Sequence, residues 1–461
     1  MNSVLPESSA DEGIRVSWRE AFLTWSRVAL LSFGGPAGQI AVMHRIIVEE
    51  KKWLSEQRFL HALNFCMLLP GPEAQQLATY IGWLMHGPRG GLLAGGLFIL
   101  PGLVSIMALS LCYVCFQQVF LIQGLFLGLK PAVMAIVMEA VLRIGKRVLK
   151  NWTMTAISLV SFTALFFFHV PFPVLILTAG VTGYVGGWIA PKTFVTLKGH
   201  GSSNGEEPGD HSQPRIRLVE IQPSWRHAFV VSAIALPLWF GPLILVWQIL
   251  GSESVLLHEG VFFSKAAVVT FGGAYSVLAY VAQQAVDHYG WLRPGEMLDG
   301  LGMAETTPGP LIMVVQFVAF MGAYRHPGPF SPITAAILGS LLTTWVTFVP
   351  CFYWIFLGGP WVDRLRTNER LSASLSTITA AVVGVVLNLA VWFAIQTLFG
   401  TVDEQHYGLL RLLVPDLSSL KSAAMLIAVV AMLLTFAMKQ PMHVTLIACG
   451  ILGIVLRGMF G

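Results

Sequence analysis

The chain has 461 residues, of which 55% are hydrophobic and 11% are charged, and its mean hydropathy is +0.70. Soluble domains carry about 25% charged residues, so this composition excludes a soluble enzyme, a disordered chain and a fibrous protein. The formal net charge of +4 is too small to indicate nucleic-acid binding. A spanning helix uses about 20 apolar residues, so the hydrophobic content predicts roughly a dozen helices and an all-α, polytopic integral membrane protein.

The apolar segments fall into two groups separated by a polar stretch. The first group lies at about 21–43, 60–85, 91–116, 118–140, 152–169 and 171–189, and the second at about 228–250, 257–282, 298–323, 331–357, 373–399, 420–438 and 441–457. The stretch between them is rich in Gly, Ser, Pro and charge, which is typical of a linker. The predicted organisation is an N-terminal cytoplasmic tail (1–20), a first transporter repeat (21–190), a cytoplasmic linker (191–227), a linking helix (228–250) and a second repeat (251–461).

An internal repeat relates the two groups. Phe33-Gly34-Gly35 recurs as Phe271-Gly272-Gly273, and Pro70-Gly71-Pro72 recurs as Pro308-Gly309-Pro310, both at an offset of 238 residues. Windows 33–72 and 271–310 match at 12 of 40 positions without a gap. The match returns at an offset of 249, between Pro131-Ala132-Val133 and Ala380-Ala381-Val382. The chain is therefore a duplication.

The extra segment at 228–250 predicts that the second copy is inverted relative to the first, as in many secondary transporters. Basic residues follow the fourth segment of the first copy, whereas the equivalent loop at 400–419 is acidic, so the first reads as cytoplasmic and the second as external. The segments at 21–43 and 60–85 either span the membrane or re-enter it. Re-entry is favoured because it returns the basic loop with Arg45, Lys51, Lys52 and Arg58 to the cytoplasm.

The repeated motifs are helix breakers inside apolar runs. A glycine pair or a Pro-Gly-Pro ends one helix, and the half-helix that follows presents free backbone N–H groups and a partial positive charge. Several such starts near the membrane midplane would bind an anion; the alternative is that the breakers only kink the helices. The candidate substrate-binding residues are Gly34, Gly35, Pro36, Arg45, Asn64, Gly71, Pro72, Gln75, Gln76, Gly272, Gly273, Thr306, Thr307, Gly309 and Gln316.

Three carboxylates in apolar segments are candidates for proton coupling, because charge inside a membrane is costly. They are Glu73, Glu139 and Glu305, with Glu73 as the first choice for binding the proton and Glu139 as the second. Glu73 is equally well explained as a partner of a helix N-terminus, and Glu139 as an ion-pair partner of Lys130 or Arg143. Arg45 could grip an oxyanion through two hydrogen bonds or serve only as an interfacial charge. Motifs for nucleotide, haem or metal binding are absent from the sequence, so no cofactor is predicted.

At these residues the sequence resembles the chromate ion transporter (CHR) family in its long, two-domain form. The motifs concerned are Ser32-Phe33-Gly34-Gly35-Pro36-Ala37-Gly38, Trp53-Leu54-Ser55, Leu69-Pro70-Gly71-Pro72-Glu73-Ala74-Gln75-Gln76, Phe98-Ile99-Leu100-Pro101-Gly102, Thr270-Phe271-Gly272-Gly273-Ala274-Tyr275, Thr306-Thr307-Pro308-Gly309-Pro310 and Ile378-Thr379-Ala380-Ala381-Val382-Val383-Gly384. The resemblance implies efflux of chromate across the bacterial inner membrane, driven by the proton motive force, with competition by sulfate.

Other functions stay open from the sequence. They are a sulfate or oxyanion uptake carrier, an uncoupled anion channel and, with less support, a membrane chromate reductase that uses Cys112 and Cys115. The expected partners are chromate, sulfate, protons and the lipid bilayer, with a homodimer as a further expectation and no nucleic acid.

Overall fold

The computed structural model describes residues 16–116, 118–194, 223–362, 368–408 and 410–460. Most of the predicted tail and linker lies outside these residues. The first copy contains α1 (Trp18–Leu31), α2 (Gly35–His44) with a π-helical extension (Arg45–Glu50), α3 (Glu56–Cys66), α4 (Glu73–Phe116), α5 (Phe120–Val148), α6 (Trp152–Phe166) and α7 (Phe172–Ile189). A short α8 (Pro191–Phe194) follows, and α9 (Trp225–Leu250) links the copies.

The second copy repeats this order. It contains α10 (Val255–Val268), α11 (Ala274–Gln283) with a π-helical extension (Gln284–His288), α12 (Glu296–Thr306), a 3-10 turn (Leu311–Met313), α13 (Val314–Arg325), α14 (Pro332–Gly358), α15 (Glu369–Leu398), β1 (Val402–Tyr407), β2 (Leu410–Pro415), α16 (Ser422–Met432) and α17 (Met442–Phe460). Within the described ranges, seven helices are long and apolar enough to cross a membrane: α4, α5, α7, α9, α14, α15 and α17. The prediction of an all-α, polytopic membrane protein is confirmed.

The long helix α4 folds back on itself at His86 and Gly87, whose backbone angles are not helical. Its first arm (73–86) and second arm (88–116) pack through small residues. A methyl group at Gly82 would lie 2.4 Å from the carbonyl oxygen of Gly90, and one at Gly95 would lie 2.2 Å from Thr79 Oγ1. The second copy achieves the same arrangement with two separate helices, α13 and α14.

The breaks of the first copy are the tips of two re-entrant hairpins. The first hairpin is α1 and α2: Lys51 Nζ, which follows the extension of α2, pairs at 2.9 Å with Glu20 Oε1 at the start of α1. The second is α3 and the first arm of α4: this arm ends at His86, whose Nε2 lies 2.7 Å from the carbonyl oxygen of Val16, just before α1. Both hairpins therefore start and finish at one end of the protein, which we call the basic end.

The hairpins of the second copy start and finish at the opposite end. Arg325, which ends α13, donates to the carbonyl oxygen of Trp291 at 2.6 Å and pairs at 2.7 Å with Glu296 at the start of α12. Glu259 in the first turns of α10 lies beside Gly322 of α13. The segments that could span or re-enter thus re-enter in both copies.

Corresponding long helices of the two copies run antiparallel, which confirms the inverted repeat. Along the second arm of α4 and along α14, a methyl group at Gly91 would lie 2.8 Å from Phe356, and one at Gly95 would lie 2.6 Å from Phe352. The contact therefore moves from residue 91 to 95 along α4 while it moves from 356 to 352 along α14, so the two helices run in opposite directions. The helix α9 supplies the odd crossing that inverts the second copy.

The copies are interlocked by glycine-mediated packing of their C-terminal halves. Gly128 of α5 packs on the backbone of Cys449 in α17, and Gly183 of α7 packs on Thr377 in α15. Each contact joins the first copy to the second, so neither half buries its apolar surface alone.

One element was not predicted from the sequence. The acidic loop at 400–419 contains an antiparallel hairpin in which Val402 pairs with Pro415 and Tyr407 with Leu410. Arg411 donates its backbone N–H to the carbonyl oxygen of Phe167 at 2.8 Å, which attaches the hairpin to the turn after α6.

Candidate anion site at the hairpin tips

The four helix breaks meet at one place through two reciprocal hydrogen bonds. Gly71 N donates to the carbonyl oxygen of Thr270 at 2.8 Å, and Gly309 N donates to that of Ser32 at 3.0 Å. Gly71 and Gly309 are equivalent positions of the two copies at the offset of 238 residues, and so are Ser32 and Thr270. The two hydrogen bonds are therefore equivalent. A pseudo-two-fold axis therefore passes between the tips, and each tip of one copy is held by a tip of the other.

The tips require backbone conformations that favour glycine. The φ angles are +84° at Gly34, +132° at Gly71, +73° at Gly272, +96° at Gly273 and +109° at Gly309. L-residues with a side chain rarely adopt this region. The glycines identified by their repeated spacing are therefore the residues that form the breaks.

Two half-helices start at the tips without a side-chain cap. In the described residues, the first N–H groups of α2 after Gly34 and of α11 after Gly273 donate to no capping side chain. Pro36 lies in the first turn of α2, where its missing N–H is of no consequence. The uncapped N–H groups and the dipole at these starts favour a negative charge.

A carboxylate of the second copy faces the start of α2. Glu305 Oε1 accepts a short hydrogen bond from the Tyr275 hydroxyl. Its Oε2 is buried without a hydrogen-bond partner in the part of the chain that is described, and it would lie 4.0 Å from a methyl group at Gly35. Glu305 thus places negative charge where an anion would bind. The first copy has Ala37 and Met67 at the positions of Tyr275 and Glu305.

Two arginines on α5 border the same tips. Arg143 interacts electrostatically with both Tyr275 and Glu305, and Arg147 does so with Glu73. Arg147 Nη2 lies 3.2 Å from Met67 Sδ, at the end of α3. Sequence reasoning treated both as topology charges; their spacing of four residues, which places them on one helix face, was the available signal.

The Glu139 side chain pairs with Arg143 at 3.7 Å, and the exposed fractions of the two side chains are 40% and 49%. This ion pair is the alternative that the sequence left open for Glu139. Both groups are half-exposed and act electrostatically on Glu305, so the protein does not cover this face of α5.

The glutamines hold the tips in place. Gln39, which sequence reasoning did not single out, donates to the carbonyl oxygen of Gly309 at 2.7 Å. Gln76 donates to that of Pro70 at 2.7 Å, Gln316 to that of Leu103 at 3.1 Å, and Gln75 to the Thr79 hydroxyl at 3.0 Å. These amide N–H groups are already used within the protein.

The remaining predicted residues are placed as follows. Thr306 donates its hydroxyl to the carbonyl oxygen of Gly302 at 2.9 Å and Thr307 to that of Ala304 at 3.4 Å, while Asn64 is half-buried on α3. Pro72 is buried before α4. Arg45 is not brought to the tips: it begins the π-helical extension of α2 and lies 3.6 Å from Glu50, with half of its side chain exposed.

At the opposite end, the β-hairpin is held against the helices by Arg411. Arg411 pairs with Glu404 at 2.7 Å and with Asp287 at 3.9 Å, and its Nη1 lies 2.8 Å from His169 Nδ1. These contacts tie the hairpin to α11 and to the turn after α6. The Arg411 guanidinium holds the pKa of the Glu404 carboxyl below its usual range, so Glu404 stays ionised at neutral pH.

Replacing Gly309 with alanine tests whether the contact between tips is essential to the fold. A methyl group there would lie 2.9 Å from Gly102 N and 3.0 Å from Gly102 Cα, at a φ of +109°. Steric overlap and backbone strain together should cost about 2 to 5 kcal/mol, seen as a lower midpoint of thermal unfolding in detergent. Gly408→Ala is the control, since its φ is +65° with no atom within 4 Å of the added methyl. An equal change in both variants would contradict the prediction.

Comparison with known proteins gives the family of the chain. The model of a family described as "Chromate transporter" matches residues 19–184 and 258–454. The chain is 32% identical to a "Chromate transport protein" of Pseudomonas aeruginosa over 80% of each chain. It is 26% identical to a protein of the same name from Cupriavidus metallidurans over 82% of each chain. It is also 25% identical to a "Probable chromate transport protein" of Synechococcus elongatus over 81% of this chain and 83% of that protein. No solved structure matches.

Proposed function

The chain belongs to the chromate transporter family, and we propose that it exports chromate from the cytoplasm across the bacterial inner membrane, driven by the proton motive force. The observation that carries the proposal is the meeting of uncapped half-helix starts at tips bordered by Arg143 and Arg147. A tetrahedral dianion needs many N–H donors and only modest positive charge if it is to bind and still leave. Helix starts supply the donors, and Glu305 limits the net charge.

The distribution of charge supports export. Basic residues at the ends of the first-copy hairpins lie toward the basic end, including Arg19, Lys51, Lys52, Arg58 and Arg89. Cations accumulate on the cytoplasmic side of membrane proteins, so chromate enters from the cytoplasm along the exposed face of α5. The potential favours exit of an anion by about 2.3 kcal/mol per charge per 100 mV, which for a dianion supplies much of the driving force.

The proton gradient supplies the rest of the driving force for export. Of the three predicted carboxylates, Glu305 has the strongest case for coupling, because its free oxygen faces the start of α2. Glu73 is the first residue of α4, where a carboxylate stabilises a helix in any case, and Glu139 is paired with Arg143.

Flux measurements in inside-out vesicles test the proposal. We expect chromate to accumulate in the lumen when the lumen is acidic and positive, and to do so less when the pH gradient or the potential is dissipated. Sulfate and molybdate in the same assay rank the substrates; sulfate accumulation with no chromate accumulation would reject chromate as the cargo. Flux that follows the chromate gradient and ignores pH would indicate a channel instead.

The orientation has its own test. Reporter fusions after residue 150 and after residue 410 should report the cytoplasm and the external side respectively, because α5 ends toward the basic end and the β-hairpin lies at the opposite end. Fusions reporting the same compartment would contradict the inverted fold, and a reversed pair would contradict the proposed orientation.

A further inference from the structure

An ion pair with a buried carboxylate joins the two copies in the half of the protein away from the basic end. Lys130 Nζ of α5 lies 3.3 Å from Asp299 Oδ2 of α12. Tyr113 of α4 donates its hydroxyl to the same oxygen at 3.0 Å. Asp299 is 2% exposed. Apolar residues could fill this space at no loss of stability, so an ionisable pair at this depth indicates a function.

The ion pair between Lys130 and Asp299 has no equivalent at the matching positions of the other copy. The position of Asp299 is occupied by His61 in the first copy, and that of Lys130 by Thr379 in the second. The ion pair is therefore present once, and it connects a long helix of one copy to a re-entrant hairpin of the other. This is an interface that must rearrange if the copies move to expose the tips to the opposite end.

Asp299 has room for a proton. Its Oδ2 receives both donors, whereas its Oδ1 is buried and has no hydrogen-bond partner within the described ranges. A proton can be added to Oδ1 without displacing an existing hydrogen bond. The Lys130 side chain is 32% exposed, so the pair is not sealed inside the protein.

Two other charged residues act on the ion pair between Lys130 and Asp299. Glu296, one turn earlier on α12, is paired with Arg325 of α13 at 2.7 Å. Lys421, next to the β-hairpin, interacts electrostatically with Lys130. Among these groups, Asp299 is the carboxylate in direct contact with Lys130.

The same helix carries a second carboxylate toward the tips. Glu305 lies six residues after Asp299 on α12, or about 9 Å along the axis at 1.5 Å per residue. Each carboxylate accepts a tyrosine hydroxyl, from Tyr113 and from Tyr275. The helix therefore places two proton acceptors in sequence between the opposite end and the anion site.

We propose that Asp299, with Lys130 as its counter-ion, is the external proton acceptor of the transport cycle, an inference that rests on the proposed proton-driven export. A proton from the external water adds to Asp299 Oδ1 and neutralises the carboxylate. The attraction to Lys130 is then lost, and α12 is free to separate from α5 on the external side. The proton moves inward by way of Glu305 as the carrier returns.

The test uses the full chain in inside-out vesicles, with chromate as the probe and luminal pH as the variable. Asp299→Asn should abolish the stimulation of uptake by an acidic lumen while chromate–chromate exchange at equal pH stays within about twofold of wild type, since the tips are untouched. Lys130→Gln should move the luminal pH of half-maximal uptake upward by about one to three units, because loss of the counter-ion favours the protonated carboxyl. Glu253→Gln, exposed at the same end, is the control and should change neither.

Tyr113→Phe provides a variant that keeps the fold, and it should shift the same pH midpoint upward by less than Lys130→Gln. Retained stimulation in Asp299→Asn would overturn the proposal. So would an unchanged midpoint in both Lys130→Gln and Tyr113→Phe, or loss of exchange together with stimulation in a monodisperse Asp299→Asn protein, which would indicate a structural role. If wild type itself shows no chromate uptake, the proposed function fails before the role of Asp299 is tested.

Discussion

Replacing Arg143 with glutamine is expected to raise the chromate concentration for half-maximal transport by about 10- to 100-fold, with a smaller change in the maximal rate. The guanidinium is half-exposed and close enough to interact with Glu305, so an anion approaching the tips passes it. A hydrogen bond to a charged group contributes about 1.5 to 3 kcal/mol, and a 1.36 kcal/mol difference corresponds to a factor of ten. The measurement is initial chromate uptake into inside-out vesicles over a range of concentrations.

Two variants sharpen this experiment. Arg45→Gln removes an arginine that pairs with Glu50 away from the tips, and it should leave the half-saturating concentration within about twofold of wild type. Glu139→Gln releases Arg143 from its partner at 3.7 Å and should lower that concentration. Equal effects of Arg143→Gln and Arg45→Gln would show that total positive charge matters and not the position of Arg143.

The positions of the breaks could be predicted from the sequence, but the way they are joined could not. Gly71 and Gly309 stood out because glycine is needed where φ is positive and because the two share one offset. Their hydrogen bonds to Thr270 and Ser32 connect residues about 200 positions or more apart. Local spacing carries no information on such contacts; only the inverted symmetry brings them together.

For the arginines, distance along the sequence led to the wrong prediction. Arg45 lies ten residues after Gly35, and this short separation suggested that it belonged to the site. The re-entrant hairpin carries it toward the basic end instead, because α2 runs away from the tip. Arg143 is more than 70 residues from the nearest break of its own copy, yet the antiparallel packing of α5 and α15 brings it to the tips. Tertiary structure, and not sequence distance, decides which cation meets the anion.

The β-hairpin was missed for a physical reason as well. Most residues of β1 are exposed, so the stretch lacks the buried face that produces an alternating apolar pattern. Its stability comes from Arg411, which bonds to the turn after α6 through its backbone and to Glu404 through its side chain. A strand held by polar contacts of this kind cannot be recognised from hydrophobic periodicity.

Replacing Glu305 with glutamine is expected to remove the pH dependence of chromate binding at the tips. In the wild type, the ionised carboxylate faces the start of α2 and competes with the dianion for the same N–H groups. The half-saturating chromate concentration should therefore rise with pH, by about 10- to 100-fold once the carboxylate is fully ionised, if the competition is worth a charged hydrogen bond. In Glu305→Gln the half-saturating concentration of the chromate dianion, calculated from total chromate at each pH, should stay low and change by less than about twofold between pH 5 and pH 9.

The other carboxylates make this result specific to one position. Glu73→Gln and Glu139→Gln remove the same charge at the first residue of α4 and on α5, and both should keep a rise with pH. Tyr275→Phe retains the Glu305 carboxylate but removes its hydroxyl donor, so the rise should begin at a higher pH because the ionised form is less stabilised. A flat profile in Glu73→Gln together with a normal rise in Glu305→Gln would transfer the competing role to Glu73. Because Asp299 lies away from the tips, Asp299→Asn should leave this binding profile unchanged, which separates competition at the anion site from proton entry along α12.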